Sequence, residues 1–198
     1  MVRLSKTTLD KTLPWILLIG SIIGLVVSFA LTYDKIQVLK NPSYVPSCNI
    51  NPVISCGSVM SKPQSELFGI PNTIFGLIGF SVLGTFAALL TMKIVLPKKI
   101  WWLIQGGVTG GLLFAGYLFF QGIFRIHAIC PYCFLIWITM PPMFWYTTLL
   151  NFRTKRIPVN NRVSNILNRF HGDVLIGFYV LFVAILLVKF WYYWSTLI

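Results

Sequence analysis

A chain of 198 residues that is 57% hydrophobic and 10% charged, with a mean hydropathy of +0.80, has too little polar surface to clothe a water-soluble domain; the bilayer is its main solvent. Sixteen Lys and Arg against four acidic residues give a net charge of +12, but no RNA-binding signature, basic zipper or zinc-finger spacing goes with it. The basic residues lie between long apolar stretches, where they fix orientation and touch anionic lipid, so membrane lipid is an expected partner and nucleic acid is not.

Uncharged runs near the roughly 20 residues that cross a bilayer predict five transmembrane helices, at 13–33, 73–92, 100–124, 129–150 and 174–194. The first follows Arg3, Lys6 and Lys11 and contains a small-x-small triplet at 28–30, as a cleaved signal peptide would. Its apolar stretch is longer than a signal core, so it reads as a retained helix. An outer loop over 34–72 follows, rich in Pro and polar residues and carrying Cys48 and Cys56. In the third span Gly106, Gly107, Gly110 and Gly111 form overlapping small-xxx-small pairs, the pattern of close helix approach. The fourth opens on Cys130-Pro131-Tyr132-Cys133, and the fifth carries Lys189 near its end, placed to snorkel, within reach of the aromatic belt of residues 190–194. The fold class expected is all-α integral membrane, a single domain over 1–198. No span carries a charge near its midplane, which argues against a channel or transporter.

With a cytoplasmic N-terminus, the inner side holds Arg3, Lys6, Lys11, Lys93, Lys98, Lys99, Arg153, Lys155, Arg156, Arg162 and Arg169. The outer side holds only Lys35, Lys40, Lys62 and Arg125, plus Lys189, so the positive-inside rule favours this orientation. All four cysteines then share the outer face, the oxidising side, as disulfide chemistry requires.

Residues i and i+3 of a helix share a face, so Cys130 and Cys133 at a helix start are placed to bond, with Pro131 suited to an early helical position. The positive end of the helix lowers a thiol pKa, which suits an exchange cascade. Competing readings are a zinc site, a covalent haem and a structural disulfide. One C-x2-C with a C-x7-C lacks the paired spacing of a zinc ribbon, and Phe134 stands where haem attachment needs His. The two-residue spacer favours an exchangeable bond over a structural one. Cys48 and Cys56 flank a larger ring that can swing, so beside the C-x2-C they read as a shuttle, one pair meeting an aqueous thiol donor and the other something in the lipid. His127 could lower the Cys130 pKa or be an interfacial histidine satisfied by water; Arg125 could stabilise thiolate or anchor the helix end. His171 lies in the basic inner loop, far from the cysteines.

Three ordered motifs carry a family resemblance: Cys48-x7-Cys56 continuing through Gly57-Ser58-Val59-Met60, then Phe68-Gly69-Ile70-Pro71-Asn72-Thr73-Ile74-Phe75-Gly76, then Cys130-Pro131-Tyr132-Cys133. Together they resemble the vitamin K epoxide reductase family, specifically its bacterial homologues. The resemblance implies a four-helix bundle around a quinone of the ubiquinone, menaquinone or phylloquinone type, capped by the cysteine loop and a short half-helix. It implies a fifth helix too, often leading to a thioredoxin-like domain. This chain ends soon after that helix, so a separate thioredoxin-like thiol oxidase on the outer face is the expected partner. By the same resemblance Cys48 accepts electrons from that partner, Cys56 attacks Cys130, and Cys133 is freed as a thiolate facing the ring. Asn72 matches the family's quinone-bonding position, where an amide donor would favour the reduced ring, and Trp137 matches an aromatic position. Phe75, Phe114 and Tyr117 are further candidates for an aromatic pocket. The family's Ser or Thr six residues after the second loop cysteine is Lys62 here, preceded by Ser61, so the hydroxyl's role passes to neither, and Lys62 could instead bring charge near the thiols. The implied activity is disulfide generation coupled to quinone reduction, in a bacterial cytoplasmic (inner) membrane. Alternatives are reduction of vitamin K epoxide by the same thiols, or a non-enzymatic metal-binding membrane protein.

Overall fold

The computed structural model describes residues 6–41, 43–51, 53–67 and 69–195, the side chains of 6–8 and 194 excepted. Arg3, and Pro52 and Phe68 of the motifs, lie outside the described residues. Among the described residues, five helices are long and apolar enough to cross a membrane. They are α1 (Lys6–Lys40), α3 (Asn72–Thr91), α4 (Lys98–Phe120, continued by π turns over Gln121–Ile126), α5 (Pro131–Arg153) and α7 (His171–Lys189). Between α1 and α3 lie the five-residue α2 (Cys56–Met60), a 3-10 turn (Pro63–Ser65) and a two-stranded hairpin, β1 (Glu66–Leu67) and β2 (Ile70–Pro71), whose turn residue Gly69 has φ +75°.

The helices overrun their apolar spans wherever no breaker intervenes. Helix α1 continues seven residues past the predicted end at 33, because 34–40 carry three charges that end the apolar run but contain neither Gly nor Pro to end the helix. The fifth span instead breaks at Phe190; Lys189 lies 4.6 Å over the Phe124 ring, and a separate turn, α8 (Trp191–Trp194), follows. Helix α6 (Asn161–Arg169) is too short and polar to be read as a span, and the Asn160 side chain caps it by accepting from the Arg162 N–H at 2.9 Å.

Water gives no hydrophobic drive between helices in lipid, so small residues and buried hydrogen bonds set the packing. Helices α1 and α3 are in close contact, with Gly24 under the Phe80 ring, Gly76 against Ser28 and Gly84 against Ser21, while Gly20 brings α1 against Met143 of α5. The Thr32 hydroxyl donates to the Ser28 carbonyl (2.7 Å) and sits 2.8 Å from the Thr73 hydroxyl. At the other end, Asn151 donates to Gln105 (2.9 Å) and Gln105 to Thr148 (3.0 Å), while the Arg156 guanidinium stacks 4.1 Å over Trp101, tying α4 to α5. The glycines of the third span depart from the expected close approach. Gly111 abuts Met140 and Gly107 is near Leu83, but the Cβ positions of Gly106 and Gly110 open onto empty space. Helices α3 and α4 meet only briefly, and a cavity separates them.

The segment from α2 to β2 caps the end of the bundle that carries the cysteines. Lys35 Nζ binds the Glu66 carboxylate at 3.0 Å and the Met60 carbonyl at 2.7 Å, joining α1 to the cap. Asn51 donates to the Tyr193 hydroxyl at 2.8 Å, joining the cap to α8.

Candidate active site

Two short stretches of backbone bring the cysteines together. The Ser55 N–H donates to the Ile129 carbonyl (3.0 Å) and the Ile129 N–H to the Val53 carbonyl (2.7 Å), a parallel rung immediately before Cys56 on one strand and Cys130 on the other. Cys56 opens α2, with the Ser55 hydroxyl capping it by accepting from the Ser58 N–H at 3.1 Å. Cys130 caps α5, its sulfur accepting from the Cys133 N–H at 3.4 Å and Pro131 in the first helical position. The result is a Cys56 Sγ to Cys130 Sγ distance of 3.3 Å. Cys48 and Cys56 form a disulfide; Cys130 and Cys133 are free thiols.

Cys133 lines a cavity of 430 Å³ between α1, α3, α4 and α5, within the roughly 300–1,000 Å³ of small-molecule sites. Its walls are apolar, with Asn72, Phe75, Phe114 and Trp137 among the lining residues and Lys35 and Gln64 at the capped end. A flat, mostly apolar ring fits such a space, and two features of this chain add to the fit. The Asn72 Oδ1 atom is buried with no partner, an acceptor suited to a hydroxyl of the reduced, quinol form, and Gly110 leaves open the space a Cβ would fill.

A sequence model of the vitamin K epoxide reductase family matches residues 15–148. The chain belongs to the vitamin K epoxide reductase family. A search of the curated proteins found no match. The matched segment contains four of the spans, the four cysteines and the cavity, while α6 and α7 lie beyond it. Membership makes the chain a multi-pass membrane oxidoreductase of the thiol/quinone kind.

Against the family pattern, several candidate residues sit differently from the sequence expectation. Tyr117 does not line the cavity: the lining positions of α4 follow the helical repeat through 107, 111, 114 and 118, and Tyr117 falls off that face, 44% exposed. The Asn72 Nδ2 atom already donates to the Gln64 backbone carbonyl at 2.8 Å, so the unsatisfied atom is an acceptor instead of the expected donor. Lys62 and Ser61 are exposed and outside the cavity lining, and the cation at the site is Lys35. His127 and Arg125 are exposed, and His127 closes the π turns in the left-handed region at φ +58°. His171 starts α7 and contacts Tyr146, remote from the cysteines.

The loop pair is also less open than the sequence implies. Cys48 is 6% exposed and Cys56 fully buried, because Asn49 Oδ1 accepts from the Gly57 N–H (2.8 Å) and the Ser55 hydroxyl (3.0 Å) and folds the loop shut. The Cys130 thiol is held below the usual value by its hydrogen bond with Cys133, against burial, which pushes it up. Sequence reading missed Asp34, a buried acid whose Oδ2 lies 3.9 Å from Cys48 Sγ. The available signal was one of only four acids at the outer end of an apolar run.

Proposed function

We propose that this protein, acting as one membrane domain, generates disulfides by passing electrons from an exoplasmic thioredoxin-like dithiol through Cys48/Cys56 and Cys130/Cys133 to a membrane quinone. The observation that carries the reading is the 3.3 Å contact between Cys56 and Cys130, with Cys133 on the cavity wall. A donor thiolate attacks Cys48, the Cys48–Cys56 bond breaks, and the donor's second thiol closes the donor disulfide. Cys56 then attacks Cys130 of an oxidised inner pair, releasing Cys133 as thiolate. Cys48 attacks Cys56, re-forming the loop disulfide and leaving two electrons on Cys130 and Cys133. Quinone, when bound, supplies a sink for two electrons and two protons. Trp137, Phe75 and Phe114 orient the ring, Asn72 Oδ1 is placed to accept a hydrogen bond from a hydroxyl of the reduced quinol, and the apolar walls keep water from the Cys133 sulfur.

The distribution of Lys and Arg supports a cytoplasmic N-terminus, with the cysteines on the outer face of a bacterial cytoplasmic membrane. The test uses purified protein in lipid nanodiscs with a dithiol donor and a short-chain quinone. Cys133→Ser should abolish quinone reduction and accumulate a Cys56–Cys130 disulfide, identifiable by peptide mass. Full turnover in that variant refutes the path.

A further inference from the structure

The Asp34 carboxylate is 5% exposed at the outer end of α1. Its Oδ1 accepts from the Tyr44 hydroxyl at 2.9 Å, and its Oδ2 lies 3.9 Å from Cys48 Sγ. The neighbouring cation does not neutralise it, since Lys35 is turned to Glu66 and the Met60 carbonyl. While the loop disulfide is intact, the Cys48 sulfur has no proton, so the 3.9 Å approach is only a contact. It becomes a hydrogen bond when the bond opens.

We infer that Asp34 is a catalytic residue of the loop pair: on reduction it keeps the proton on Cys48 and so leaves Cys56 as the thiolate that attacks Cys130. This rests on the relay proposed above. The physical ground is that two anions side by side in a site shielded from water repel strongly, so the sulfur touching the carboxylate is the one that protonates. Cys48–SH then donates to Asp34 and Cys56 keeps the charge, 3.3 Å from its target. The balance closes: the donor dithiol loses two electrons and two protons, one proton goes to Cys48 and one to water, and Cys56 leaves as thiolate. The other titratable or charged groups near this cluster are Tyr33 and Lys35 on α1, Tyr44 in the loop, and Cys130 and Tyr132 at the start of α5. The Tyr44 hydroxyl is held above the usual phenol value, first by its hydrogen bond to Asp34, as expected beside a carboxylate.

The experiment measures alkylation rate against pH for Cys48 and Cys56 separately, by peptide mass, in reduced Cys130→Ser/Cys133→Ser protein in nanodiscs. The pH midpoint reports thiolate formation independently of how easily the reagent enters. With Asp34 present, Cys56 titrates below Cys48. Asp34→Asn should lower the Cys48 midpoint by about one unit, a tenfold rise in its thiolate fraction at fixed pH below the midpoint, while Asp34→Glu keeps the original order. Tyr44→Phe, which retains the carboxylate and guards against a misfolded Asp34 variant, should leave the Cys48 midpoint in place or raise it. Unmoved midpoints in Asp34→Asn, or a fall in Tyr44→Phe, overturn the inference. The two ideas separate cleanly. If Cys133→Ser abolishes turnover but Asp34→Asn moves nothing, the relay stands and Asp34 has no such role; if midpoints move but Cys133→Ser turns over fully, the relay alone falls.

Discussion

Replacing Asn49 with Ala should make the loop disulfide far easier to reduce. Cys48 and Cys56 are buried, so an external reductant meets them only when the loop opens locally. Asn49 Oδ1 holds the loop closed through two hydrogen bonds, to the Gly57 N–H at 2.8 Å and the Ser55 hydroxyl at 3.0 Å. At about 0.5–1.5 kcal/mol each, their loss lowers the opening free energy by about 1–3 kcal/mol. With 1.4 kcal/mol per factor of ten, the open fraction rises about 5- to 140-fold. The reduction rate follows that fraction as long as the loop recloses faster than it is reduced. The assay is reduction by a membrane-impermeant phosphine in a Cys130→Ser background, quenched with a maleimide that shifts mobility on a gel. Asn160→Ala removes a cap from α6 at the inner end of the bundle and should leave the rate unchanged. An unaltered rate in Asn49→Ala would mean that reductant reaches the sulfurs without loop opening, and the account of the closed loop would be wrong.

Two glycines should respond in opposite ways. A Cβ on Gly24 would fall 2.5 Å from the Phe80 ring, so Gly24→Val should destabilise the α1–α3 pair by about 1–3 kcal/mol, read as a lower unfolding midpoint in detergent. A Cβ on Gly110 meets nothing within 4 Å, so Gly110→Leu should leave that midpoint nearly unchanged while extending into the cavity and raising the KM for quinone. Because the hydrogen bond from Cys133 lowers the Cys130 pKa, Cys130 should alkylate in reduced protein with a pH midpoint below that of an ordinary thiol, and Cys133→Ala should move it upward. A midpoint that stays put would show that Cys133 does not stabilise the Cys130 thiolate.

What the sequence discloses here is what depends on local chemistry. Uncharged runs mark the five spans because a bilayer tolerates no other backbone arrangement, and Cys130-Pro131 marks the start of α5 because proline suits that position. Features that depend on distant partners stay hidden. Ile129 pairs with Val53 and Ser55 across the bundle, and neither stretch carries a strand pattern long enough to notice. Gly24, Gly76 and Gly84 are significant only once α1 and α3 lie together, and Gly20 only once α1 lies on α5, whereas a Cβ at the conspicuous Gly106 or Gly110 meets nothing. Tyr117 and Phe114 are equally aromatic, and only the helix's rotation decides which one faces the cavity. Asp34 lies one residue past the apolar run, where a span reading stops and the loop is assumed to begin.

The parallel rung ahead of Cys56 and Cys130 sets their separation through main-chain atoms alone. Side-chain identity at Val53 and Ile129 is thereby largely freed from the demands of the reaction, while Ser55 is held by its cap on α2 and its bond to Asn49. Proline is the exception, because at 55 or 129 it would delete one of the two donors on which that spacing hangs. Such a site is written in the path of the chain more than in its letters.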